Sequence, residues 1–105
     1  MDLFFWRTNK KHDEFSSNLA QQFILICPLD LVENMPNKKA QIKYNKALNM
    51  LNSKAKDYRI NAKLGIYSKA RIGNKFMWAL RSQGYNYEFV NNLTNLLLHS
   101  LSGKK

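Results

Sequence analysis

His12, Asp13 and Glu14 stand side by side, and an imidazole beside two carboxylates is the kind of set from which general acid–base catalysis is built. Consecutive residues of a helix point about 100° apart, however, so three neighbours cannot converge on one proton. A helix opening at Lys10 puts both acids in its first turn, where the positive end of the helix dipole accounts for them. His99 has Asn95 four residues before it and neither an acid nor a cysteine at helical spacing, so it lacks a metal or nucleophile partner and reads as a surface histidine. Cys27 closes the apolar run Phe23-Ile24-Leu25-Ile26 ahead of Pro28, where a thiol behaves as a small buried hydrophobe. There is no glycine-rich phosphate loop and no zinc motif. The expectation is a non-enzymatic protein with no catalytic residues, no bound metal and no cofactor.

The chemistry that remains is charge. Residues 37–81 hold twelve basic side chains against Asp57 alone, while the rest of the chain, with five basic and six acidic residues, is nearly neutral. At 100° per residue, Lys39, Lys43, Lys46 and Lys54 line one flank of a central helix, and Lys56, Arg59 and Lys63 the other. Lys69, Arg71, Lys75 and Arg81 continue the stretch along the next helix. Such a field attracts phosphate backbones, so DNA or RNA is the expected partner of these eleven residues, with no base specificity implied. Tyr58, Tyr67, Trp78, Asn45, Asn49, Asn74 and Ser68 are interleaved with the charge and suit sugars or exposed bases, although most of the aromatics are expected in the core. Thirteen lysines and thirteen asparagines also fit a drift toward AT-rich codons. Drift does not explain a single acid across the whole stretch.

The elements that position these residues emerge from periodicity. A chain of 105 residues is one domain, and with 45% hydrophobic residues but only 4 glycines and 2 prolines it favours helices over a turn-rich β fold. Phe15, Leu19, Phe23 and Ile26 mark a first helix that Pro28 ends. Residues 28–37 form a Pro-bounded connector with room for one short helix, and Asn37 caps the long helix after it. Ile66, Ala70, Gly73, Phe76 or Met77, and Leu80 describe a later helix, with Gly73 permitting close packing and Gly84 terminating it in the left-handed conformation. Asn86 caps the last helix, with Tyr85 and Val90 as a hydrophobic staple, and Gly103 closes it. The fold class is all-α: a single-domain bundle of four to five helices spanning 1–105, mostly antiparallel, with short connections and a basic tail at 102–105.

Tyr44, Leu48, Leu51, Ala55, Tyr58 and Ala62 step by four and three, the spacing of a heptad seam. The seam supports a second function class, a protein-interaction adaptor or homodimer joined along 44–62, or a subunit docking an acidic partner. The segment 1–9, with Leu3-Phe4-Phe5-Trp6 and Arg7 ahead of Lys10 and Lys11, suits a lipid interface, but such a segment more often tucks onto the core or a partner chain. It is too short for the apolar part of a signal peptide, and no run reaches the ~20 apolar residues of a membrane span. Together with a single cysteine, this makes a cytoplasmic setting the expectation.

Residues 71–97 read RIGNKFMWALRSQGYNYEFVNNLTNLL. A basic helix bearing Leu80, a Gly84-Tyr85 turn, and a second helix opening with Glu88 and Val90 resembles the repeat unit of the RecX family of recombinase regulators. The resemblance covers about a quarter of the chain and one unit, where that family strings several together, so it implies the helical hairpin and not a filament-binding role.

Overall fold

A computed structural model describes residues 3–34, 37–62 and 64–103, with side chains from residue 8 onward. Lys63, Pro36, Lys104, Lys105 and the aromatic side chains of 1–9 lie outside what is described. Every described element is helical: α1 (Leu3–Ile26), α2 (Leu29–Glu33), α3 (Lys38–Asn61), α4 (Ile66–Arg81) and α5 (Tyr87–Ser102).

The helix ends obey local chemistry. Asn37 Oδ1 accepts the backbone N–H groups of Lys39 at 2.9 Å and Ala40 at 3.4 Å, and Asn86 Oδ1 accepts those of Glu88 at 2.9 Å and Phe89 at 3.3 Å. At the end of α4, Gly84 (φ +98°) lets its own N–H reach the Arg81 carbonyl at 3.0 Å and the Tyr85 N–H reach the Leu80 carbonyl at 3.4 Å, the paired bonds of a Schellman turn. Gly103 (φ +69°) ends α5 in the same left-handed region.

α1 departs from expectation. It begins at Leu3 instead of Lys10, because no glycine or proline interrupts the chain before Pro28 and the helix runs unbroken up to the proline. His12, Asp13 and Glu14 are therefore mid-helix, and the first-turn dipole does not account for the acids. Partners on other helices, Tyr58 of α3 and Arg71 of α4, account for His12 and Asp13.

α1 packs beside α3 and α4, and α5 packs beside the same two, so α3 and α4 occupy opposite corners of the bundle. His12 and Phe15 meet Tyr58 near the end of α3, while Phe23 and Tyr44 both pack on Phe89 of α5, which makes α1 and α3 antiparallel. α4 and α5 form a second antiparallel hairpin; between the hairpins, α1 runs parallel to α4 and α3 to α5. Phe23, Phe76, Ile72, Leu80, Leu93, Leu97 and Tyr85 fill the centre, to which α3 contributes Leu51 and the small Ala47 and Ala55. Gly73 faces Leu98 and Thr94, and an added Cβ would come within 3.1 Å of a Leu98 methyl, so the missing side chain sets how closely α4 approaches α5.

Tyr85 joins the two hairpins at one end. Its ring is buried beside Phe23, and its hydroxyl donates to the Cys27 carbonyl at 2.9 Å, satisfying a group left open where Pro28 stops α1. Tyr85→Phe keeps the packing and strands that carbonyl, so it is expected to lower the unfolding free energy by about 1–3 kcal/mol, measured by denaturant titration.

Candidate nucleic-acid interface

The fold sorts the basic stretch into side chains committed to the protein itself and side chains that face outward. Arg71 belongs to the first group. Its Nε and Nη2 donate to the two carboxylate oxygens of Asp13, each at 2.9 Å, and its Nη1 donates to the Tyr67 hydroxyl at 3.4 Å. The guanidinium holds the Asp13 carboxyl below the usual carboxylate range, and Asp13 raises the Arg71 pKa in return. Arg71 thus ties α4 to α1 and is a positioning group instead of a free phosphate contact. Arg59 is also turned inward: its guanidinium lies where a side chain at Gly103 would go, at the carbonyl end of α5. Lys69 Nζ donates to Ser102 Oγ at 3.3 Å at that same end. Arg81 Nη1 donates to the Tyr85 carbonyl at 2.9 Å and its guanidinium sits 5.7 Å from the Tyr87 ring centre.

Lys39, Lys43, Lys46, Lys54, Lys56 and Lys75 are exposed, and none of them forms an ion pair among the described residues. Their placement is set by the residues that turn inward. Asn52, hydrogen-bonded to Ser100 at 2.8 Å, and Arg59 point toward α5, which leaves the Lys39, Lys43, Lys46 and Lys54 flank of α3 on the side of α1. On α4, Gly73 and Lys69 point toward α5, so Arg71 and Lys75 also lie on the α1 side. One broad face results, with α1 along its middle. Lys11, which sequence reasoning left out of the site, joins it from α1, exposed and 5.8 Å from the Tyr58 ring centre. Its position four residues before Phe15 was readable, but the Tyr58 ring it lies over belongs to α3, 47 residues away. Lys56 stays on the opposite flank of α3.

The aromatics divide as well. Tyr58 is not a base platform: it stacks on Phe15 with ring centres 3.9 Å apart and its hydroxyl lies 2.7 Å from His12 Nδ1. Burial pushes its pKa up to about 12. Tyr67 and Trp78, by contrast, are 57% and 66% exposed. They flank a shallow groove of about 430 Å³ completed by Ala70, Arg71, Asn74 and Lys75.

The heptad seam is covered within the chain. Leu51 and Ala55 are in the core, and Tyr44, Leu48 and Tyr58 pack against it, so these residues offer no open stripe to a second copy. Periodicity marks a stripe for burial without saying which chain covers it.

Among the described residues, no group of three or more His, Cys, Asp or Glu side chains could hold a metal, and no helix is long and apolar enough to cross a membrane. Among those residues three buried polar atoms lack a hydrogen-bond partner, His12 Nε2, Arg59 Nε and Thr94 Oγ1. His12 is 2% exposed, and burial, helped by the neighbouring Lys11 charge, lowers its pKa. No family model, curated protein or solved structure matches this chain.

Proposed function

We propose that this protein is a non-enzymatic module that binds the phosphate backbone of DNA or RNA through the face centred on α1. The observation that carries the reading is the set of exposed, unneutralised lysines, Lys39, Lys43, Lys46, Lys54 and Lys75, on two helices that flank one side of the bundle. Like charges gathered on one face repel one another, and a polyanion relieves that repulsion while releasing its own counterions. A cytoplasmic setting belongs to the same proposal and rests on the single, buried Cys27.

The reading is tested by binding to labelled oligonucleotides at low salt, with anionic vesicles and an acidic protein as competitors. Oligonucleotide binding that neither competitor displaces supports it. Preference for the acidic protein favours the adaptor class instead.

A further inference from the structure

Charge alone does not distinguish a duplex from a single strand; the outer face of α4 does. Tyr67 and Trp78 are separated by eleven residues, about three helical turns, which puts them only about 20° apart around the helix and about 16 Å apart along it. Both rings are more than half exposed, an unusual placement for two large aromatics on one face of a small bundle whose other described rings, Tyr87 apart, pack inward. Between them the groove is lined by Arg71, Asn74 and Lys75, which are cationic or polar, and by the small Ala70. Arg71 is fixed by its two bonds to Asp13 and reaches the Tyr67 hydroxyl, so the Tyr67 end of the platform is tied to α1 before any ligand arrives.

From this juxtaposition we infer that the Tyr67–Trp78 groove is a stacking platform for unpaired bases, which makes single-stranded nucleic acid the preferred ligand. In a duplex the base faces are covered by their neighbours, and a ring on a convex helix surface cannot reach them. In a single strand every base offers a face, so stacking on Trp78 and Tyr67 adds to backbone attraction without demanding a sequence. Lys75, one turn from Trp78 and unpaired, sits where it can take the adjoining phosphate. Arg71, neutralised by Asp13, acts by orienting Tyr67. The inference rests on the proposed polyanion binding and narrows it.

The test uses the full chain in a Trp6→Phe background, so that emission reports Trp78 alone. Its ligands are an oligothymidylate of about twelve nucleotides, within the usual site size for such proteins, and a duplex of the same length. The single strand is expected to quench Trp78 and to bind at least tenfold tighter than the duplex. In a second arm, read by anisotropy of the labelled strand, Trp78→Ala is expected to weaken single-strand binding by about 5- to 150-fold, the range that loss of one stacked base spans. Trp78→Phe is expected to retain most of the affinity, which separates loss of stacking from loss of fold. Equal affinity for both ligands, with Trp78→Ala within twofold of the parent, would overturn the single-strand inference and leave polyanion binding standing. Binding to neither ligand would overturn both.

Discussion

Replacing Lys39, Lys43, Lys46 and Lys54 together with glutamine is expected to flatten the salt dependence of oligonucleotide binding. Each phosphate contact contributes about −0.7 to the log–log slope on single strands and about −0.9 on duplex. Removing four contacts should therefore make the slope shallower by about 2.8 on a single strand and about 3.6 on a duplex. The fold should survive, because all four side chains are exposed and glutamine forms helices nearly as well as lysine. Stability should rise slightly as self-repulsion falls, which a thermal melt would register. Lys38→Gln with Lys56→Gln provides the geometric control. Both residues lie on the other flank of α3, so this pair should leave the slope almost unchanged. If the two sets of substitutions have equal effects per charge, binding follows net charge and the α1-centred face is not the site.

Acidification is expected to destabilise the bundle, beginning near the ordinary histidine range. His12 is 2% exposed, and burial together with Lys11 and Arg71 disfavours its charged form, against a smaller opposing pull from Asp13. Its folded pKa lies below the unfolded value of 6.5, so the unfolded chain takes up the proton first. The stabilisation is complete above that value and is lost as pH falls toward the folded pKa, at up to about 1.4 kcal/mol per pH unit. Asp13, whose folded pKa is lowered by Arg71, adds a separate loss only at more acid pH, within and below the carboxylate range. Denaturant midpoints taken from neutral pH downward would separate the two. Tyr58→Phe removes the 2.7 Å partner of Nδ1 and leaves the buried ring with neither nitrogen satisfied, a loss of about 1–3 kcal/mol. His12→Phe combined with Tyr58→Phe removes both polar groups and should abolish the loss near neutral pH. A double variant as acid-sensitive as the parent in that range would place the titrating group elsewhere.

How much of the fold and the site was legible in the sequence depends on the range of each interaction. Asn37, Gly84, Asn86 and Gly103 act on backbone groups a few residues away, and the helix ends they mark are where local chemistry puts them. The start of α1 was not legible, because the polar residues before His12 carry no stop signal and helix propagation overrides weak propensities there. Pairing across the bundle was not legible either. Arg71 and Asp13 are 58 residues apart, as are Tyr85 and Cys27, and nothing in either local pattern names the other. The basic stretch therefore looked like a single site, whereas the structure turns Arg59, Lys69, Arg71 and Arg81 to its own helix ends, carbonyls and carboxylate. The polarity of Arg71, Asn74 and Lys75 beside Tyr67 and Trp78 was the available clue that this aromatic pair faces outward.

A polyanion-binding face on one side of the bundle is best tested by following the anisotropy of a labelled single-stranded oligonucleotide with the full chain between about 50 and 200 mM salt. The expected result is binding at the low end that declines linearly on log–log axes with a slope of about −3 or steeper, as four or more phosphate contacts require. No binding at about 50 mM salt, or binding indifferent to salt across that range, would contradict it.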